Sequence, residues 1–247
     1  MTRLDQALVE RGLCESREQA KRAIMAGQVN LNGQRGRKPS DGVKQTDQLT
    51  LTAGEKYVSR GGLKLAHALE QFGLKVADAV ALDLGASTGG FTDCLLQAGA
   101  RQVFAVDVGQ GQLAWKLRRD RRVVVMEKTN ARYLTPAHFP QPFAQFDVTV
   151  MDCSFISLRK ILPPVVALLR LGGKIIALIK PQFEAGKVEA DRGAGVIRDP
   201  AIHDRVLREL NEFVALQPGL VWRQVTESPL LGPAGNKEFL VLIEKSG

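Results

Sequence analysis

Apolar positions change rhythm near residue 50, and the change divides the chain in two. Before it, Leu4, Leu8, Val9 and Leu13 recur at helical spacing, closed by Gly12-Leu13. Ser16-Arg17-Glu18-Gln19 reads as a capping box, with Ser16 at the cap and Gln19 three residues on. It opens a helix through Ala20, Ile24 and Met25 that stops at Gly27. Val29 to Gly33 alternates and ends in Asn32-Gly33, a strong hairpin turn. Val43 to Leu51 predicts one more strand. Residues 1–51 therefore predict a small α+β module, two helices on a short sheet. Residues 52–61 read as a linker, and 62–247 as a second domain.

In that second part a helix carrying Leu63, Ala66, Leu69 and Phe72 comes first. From Ala79 onward, short apolar runs alternate with amphipathic stretches. The pattern predicts strands at 79–84, 102–107, 122–126, 146–152, 173–180, 220–226 and 238–244, and helices at 89–98, 111–119, 158–170 and 200–216. Such alternation predicts an α/β fold, a doubly wound, largely parallel sheet of seven strands. Only Glu227–Lys237 separates the last two strands, too little for a helix, so they should form an antiparallel pair at the edge.

Composition narrows the class. Of 247 residues, 45% are hydrophobic and 24% charged, enough apolar material for a sizeable core. The net charge of +8 favours a polyanionic partner. Cys14, Cys94 and Cys153 form no C-x-x-C pair, so neither zinc nor a disulfide framework is expected. No signal peptide is evident after Met1, and no run approaches the length of a membrane span. The expectation is a cytoplasmic protein with no pore-forming role.

The candidate chemistry sits where strands end. Ala81–Asp93, A-L-D-L-G-A-S-T-G-G-F-T-D, reads as strand, tight turn and helix N-terminus. A dinucleotide fingerprint read from Gly85 needs glycine where Ser87 stands. A turn without that glycine, preceded by Asp83 in the strand, suits a cofactor that carries no phosphates, such as S-adenosylmethionine. The second strand ends at Asp107, where an acid can hold ribose hydroxyls, and Asn130 follows the third, suited to an adenine edge or ribose. The fourth ends at Asp152 and the fifth at Lys180. Each has a plainer reading. Asp152 could cap the helix start near Ser154 and Ser157, and Lys180 could snorkel to solvent from its strand end. Glu238 could be an exposed strand-end acid, and Lys64 a solvated helix lysine.

Taken together, Lys64, Asp152, Lys180 and Glu238 around a D-L-G-x-x-x-G-G-F turn resemble the Lys-Asp-Lys-Glu tetrad of FtsJ-type ribose 2'-O-methyltransferases. The N-terminal R-L-D-Q-A-L-V-E-R-G-L and S-R-E-Q-A-K-R-A-I-M-A-G-Q-V-N-L-N-G resemble the RNA-binding fold named after ribosomal protein S-four. Joined through K-Y-V-S-R-G-G-L-K-L, the two are similar to the TlyA family, also called hemolysin A, over nearly the whole chain.

The resemblance implies a Rossmann-like class I methyltransferase domain and 2'-O-methylation of a ribose, cytidine by family, in ribosomal RNA or a ribosomal subunit. Lys180 would be the catalytic lysine, oriented by Asp152 and Glu238 and completed by Lys64, with no metal required. Gly85, Ser87 and Gly89 would let backbone approach the methionine portion of the cofactor. Asp107 would take its ribose and Asn130 its adenine side, while Asp83 would order the turn or meet the methionine ammonium. RNA would be held by Arg3, Arg11, Arg17, Lys21 and Arg22 along the helices, and by Arg35, Arg37 and Lys38 near the hairpin. The run Lys116–Arg122 is either a second contact or a solvated helix end. Few aromatics accompany these cations, which favours recognition of folded RNA by shape. Only Met1-Thr2 precede Arg3, and within the family so short a start implies the narrower, large-subunit range. The rival class is a non-catalytic RNA-binding assembly factor. A membrane-lytic hemolysin has only the family's older name behind it, and a pseudouridine synthase has no use for the glycine turn.

Overall fold

The structure, a computed structural model, describes residues 1–36, 38–51, 56–186, 189 and 195–247. It divides into two compact units, Met1–Lys56 and Tyr57–Gly247.

In the smaller unit, strand β1 (Thr2–Arg3) leads into helix α1 (Leu4–Glu10), and α2 (Arg17–Met25) follows. Ser16 caps α2 by accepting the Gln19 N–H at 3.2 Å. The Gln19 side chain reaches one residue further back than a capping box requires, and accepts the Glu15 N–H at 2.7 Å. Strands β2 (Val29–Leu31) and β3 (Gln34–Arg35) turn at Asn32 and Gly33, both at positive φ (53° and 78°), as a tight hairpin demands. The single strand expected over Val43–Leu51 is two. β4 (Gly42–Val43) pairs with β1, and β5 (Leu49–Leu51) pairs with β2. The break is the turn Lys44–Asp47. Asp47 accepts the Lys44 N–H at 2.7 Å, and the Arg11 guanidinium donates to the carbonyls of Asp47 (2.5 Å) and Lys44 (2.8 Å). A side chain that satisfies its own backbone competes with the ladder. Leu4, Leu8, Ile24, Val29 and Val43 form this unit's own core.

Of the linker expected over 52–61, residues 52–55 lie outside the described residues, and Tyr57 is already buried in the larger unit's core. Helix α3 (Gly61–Gln71) leads into strand β6 (Val80–Leu84), helix α4 (Gly90–Gln97), β7 (Gln102–Val106), the short α5 (Trp115–Arg118) and β8 (Val123–Met126). Then come β9 (Phe146–Met151), α6 (Leu158–Leu168), β10 (Leu169–Ile179), the single turn α7 (Pro181–Glu184), α8 (Pro200–Ala215), β11 (Leu220–Glu227) and β12 (Phe239–Lys245). The seven strands lie in the order β11-β12-β10-β9-β6-β7-β8. The last strand inserts between β10 and β11 and runs antiparallel to both. β10 begins at Leu169, earlier than the sequence pattern suggests, because an irregular register between Leu169 and Lys174 carries the glycine pair Gly172-Gly173 into the strand.

Alternation along each strand sorts its side chains between two cores, one on each face of the sheet. Leu82, Leu84, Ile175, Ala177 and Ile179 join one; Ala81, Val148, Val150, Ile176, Leu178, Leu240 and Leu242 join the other. The second core also holds Leu65 and Ala68 of α3. Counting on by twos, Asp152, Lys180 and Glu238 fall on that same face.

Candidate active site

That parity is what assembles the charged residues. Ile179 pairs with Phe239 in the β10–β12 ladder, so the next residues outward, Lys180 and Glu238, leave the same end of the sheet on neighbouring strands. Lys64, one turn into α3, meets Glu238: Nζ donates to Oε2 at 2.5 Å. Lys180 meets Asp152 at 2.6 Å and donates to the Ser154 hydroxyl at 2.8 Å. The residues expected as a tetrad are therefore two ion pairs, each lysine against its own carboxylate. Lys64, Lys180 and Glu238 are 7%, 8% and 1% exposed, which removes the solvated readings of all three. Glu238 Oε1 is buried and has no partner among the described residues. Asp152 is no helix cap. Ser157 takes that role at α6, accepting the Arg159 N–H at 3.2 Å.

Beside the second pair, beyond the carboxyl ends of β6, β7 and β9, lies a cleft of about 470 Å³. Gly85, Ser87, Asp107 and Asn130 line it, and so do Asp152, Ser154 and Phe155. Ser87 adopts positive φ (49°), and its N–H donates to Asp107 Oδ2 at 2.8 Å. The other Asp107 oxygen accepts the Gly109 N–H at 2.7 Å. Asn130 uses its side-chain oxygen to cap the turn Ala131–Tyr133. Gly85 (φ 81°) passes so close to the end of β9 that a Cβ would lie 2.6 Å from the Asp152 carbonyl.

Two expected cofactor residues have other occupations. Gly89 does not line the cleft; its φ of 98° favours glycine, and a Cβ there would also strike Leu117 at 2.3 Å and Leu113 at 2.7 Å. Asp83 is fully buried, and its Oδ2 accepts the Thr92 hydroxyl of α4 at 2.6 Å. Burial, helped by the nearby charges of Asp152 and Asp107, pushes its carboxyl up to about 7. Of its two expected roles, ordering the turn is the one this geometry fits.

The sequence reading missed several cleft residues. Gln112 accepts the Ser87 hydroxyl at 3.2 Å; Val108, Thr129, Arg132, Ile156 and Ile161 also line the wall. Aromatics are also less scarce at the surface than the composition suggests: Phe155 is 89% exposed at the cleft, with Trp115 and Tyr133 exposed elsewhere on this unit. Phe155 has φ 63°, an unusual conformation for a bulky residue.

The basic residues of the smaller unit are mostly engaged. Arg3 and Arg17 both pair with the fully buried Asp5, at 3.0 and 3.1 Å. Lys21 pairs with Glu18, and Arg35 donates to the Ala26 carbonyl. The Lys21 hydrogen bond holds the Glu18 carboxyl down and Arg22 adds its charge to it, the Lys38 side chain forms no ion pair or hydrogen bond among the described residues, and Arg37 lies outside them. Within Lys116–Arg122, Lys116, Arg118 and Arg122 are paired with Asp93, Glu127 and Asp120.

Comparison with known proteins follows the same division. Residues 57–245 match the family model of an FtsJ-like methyltransferase, and residues 2–49 that of an S4 domain. A Bacillus subtilis protein, YqxC, whose name proposes an rRNA methyltransferase, is 51% identical over 246 residues, 99% of this chain and 86% of that protein. A Mycobacterium tuberculosis protein named 16S/23S rRNA (cytidine-2'-O)-methyltransferase TlyA is 46% identical over 247 residues, 97% of this chain and 88% of that protein. A solved structure from Streptococcus thermophilus, whose title suggests a hemolysin, superposes with a TM-score of 0.75 at 46% identity, covering 99% of this chain and 88% of that one.

Proposed function

The chain belongs to the TlyA family of FtsJ-like methyltransferases, and from that premise we propose that it methylates the 2'-hydroxyl of a cytidine ribose in ribosomal RNA. The observation that carries the reading is the pair of buried lysine–carboxylate contacts, one of them on the wall of a cleft.

The cleft suits S-adenosylmethionine by its donor set. Asp107 and Asp152 face it, and Arg132 is its only cation among the described lining residues. That balance favours a cationic sulfonium and disfavours a pyrophosphate. Asp107 would hold the ribose hydroxyls, Gly85 and Ser87 the methionine backbone, and Asn130, Val108 and Ile156 the adenine side. When bound, the cofactor supplies an electrophilic methyl group. Lys180 handles the acceptor. Two of its three ammonium hydrogens are committed to Asp152 and Ser154, and the third is left to donate to the ribose 2'-oxygen. Lys180 then steers the hydroxyl into line with the methyl group, where roughly 7–11 kcal/mol of orientation can be gained; as the oxygen takes the methyl group and the sulfonium C–S bond breaks, the hydroxyl proton would pass to water. Lys64 holds Glu238 in place beside Lys180 at the end of the sheet.

Arg3, Arg17, Arg22, Arg35 and Lys38, with Arg37, supply phosphate contacts. Large-subunit RNA as the preferred substrate and the cytoplasm as the place of action belong to the same proposal. No helix among the described residues is long and apolar enough to cross a membrane.

Mapping 2'-O-methyl sites in ribosomal RNA from cells with and without the chain tests the proposal. A cytidine site lost without it supports the enzyme, and an unchanged map overturns it. An assembly factor would instead leave Lys180→Ala as competent as wild type in subunit maturation.

A further inference from the structure

Two segments carry the acceptor side of the site, and they are fastened to each other at both ends. One runs from Asp152 to Leu158 after β9; the other runs from Lys180 to Glu184 after β10. At the near end Lys180 meets Asp152 and Ser154. At the far end Glu184 accepts the Ser157 hydroxyl at 2.6 Å with Oε2 and the Leu158 N–H at 2.8 Å with Oε1. Between them the rings of Phe155 and Phe183 lie 5.1 Å apart.

Ser157 already caps α6 through the Arg159 N–H. Leu158 offers one of the amides that every helix start leaves unpaired, which water can satisfy as well as protein. Here the partner is a carboxylate from the segment that holds Lys180, although burial pushes that carboxyl upward and so disfavours its charge. The positive end of α6 favours the charge in return. Phe155 keeps its left-handed backbone within the same loop, a conformation that persists only where its surroundings over-determine it.

We propose that Glu184 is a positioning residue for methyl transfer: it holds the Asp152–Leu158 loop against the Lys180 segment and so fixes the direction in which Asp152 and Ser154 present the Lys180 ammonium. The proposal rests on Lys180 acting at the acceptor hydroxyl.

The test compares Glu184→Ala, Ser157→Ala, their double variant, Glu184→Gln and Lys180→Ala, with purified protein, labelled S-adenosylmethionine and ribosomal RNA. Glu184→Ala should lower kcat roughly 10- to 100-fold, as small displacements of reacting groups do, with RNA Kd within about 3-fold. Ser157→Ala should lose less. The double variant should lose less in kcat than the sum of the single losses, because both singles remove the Ser157–Glu184 tie and Ser157→Ala adds only the loss of the α6 cap. Glu184→Gln, which keeps an acceptor for the Leu158 N–H, should recover most of kcat. Wild-type kcat in Glu184→Ala, or additive losses in the double variant, would overturn the role of Glu184. Full activity in Lys180→Ala would instead overturn the reading beneath it.

Discussion

Both units bury carboxylates against cations, and they do it in opposite directions. Asp5 is wholly inside the smaller unit, yet the side chains of Arg3 and Arg17 that meet it remain 48% and 55% exposed. In the larger unit the cations go in with the acids: the side chains of Lys64 and Lys180 are 9% and 10% exposed. A hidden acid with its arginines at the surface sets out positive charge for phosphate while fixing its geometry. A hidden lysine is withdrawn from bulk water and can act only on a group brought to it. On the proposed function, one arrangement would serve affinity and the other chemistry.

Removing Lys180 should separate the two most sharply. Lys180→Ala should cut methyl transfer by at least about 10³-fold, within the range of general acid–base and steering groups, and leave RNA affinity nearly unchanged. Incorporation of labelled methyl groups and a gel-shift titration measure both, and transfer at the wild-type rate would reduce the pair to a structural contact. Glu238→Ala strands the Lys64 ammonium in the core, for which a loss of about 3–5 kcal/mol in urea unfolding is expected. Lys64→Met with Glu238→Leu should cost much less. Arg17→Ala belongs to the other arrangement. RNA binding should weaken roughly 10-fold at low salt, and the salt slope should fall by about one, with kcat at saturating RNA unaltered.

Acid should act with opposite sign in the two units. Hydrogen bonding from Arg3, aided by Arg17, holds the Asp5 carboxyl down at about 2. Its contribution is complete above the ordinary aspartate range near 3.8 and disappears as pH falls through about 2. With both guanidinium groups half in solvent, that contribution is about 1 kcal/mol. Asp83, raised by burial, acts the other way. Its contribution is present in acid and is lost as pH rises from about 4 through about 7. Melting curves of Asp5→Asn and Asp83→Asn between pH 2 and 8 should each flatten one of these limbs.

Much of the larger unit could be read from the chain because its strands are buried on both faces, and continuous apolar runs such as Ile175–Ile179 announce themselves. The face shared by Asp152, Lys180 and Glu238 is also written there, by counting back in twos to Val150, Leu178 and Leu240. The pairing of lysine with carboxylate is not, because Lys64 reaches Glu238 through the packing of α3 on the sheet. Glu184 was invisible for a similar reason: its partners belong to another segment. In the smaller unit, Asn32-Gly33 gave a local rule that held. Val43–Leu51 was misread because the Lys44–Asp47 turn draws on Arg11, a residue far away in sequence. Gly89 is required by its left-handed backbone and by Leu113 and Leu117 packed against it, contacts that the sequence pattern does not show.

The insertion of β12 between β10 and β11 has a temporal consequence. Lys64 and Glu238 are 174 residues apart, and the strand that carries the acid is the last of the sheet to be synthesised. At about 5–20 residues per second, the ribosome exposes the lysine on the order of 10–30 s before its counter-ion exists. Until then β10 has an open edge where β12 will lie, and α3 has no acid to receive its ammonium. A nascent chain could build the small N-terminal unit early and hold RNA with it, while the methylating centre stays incomplete until the final strand arrives.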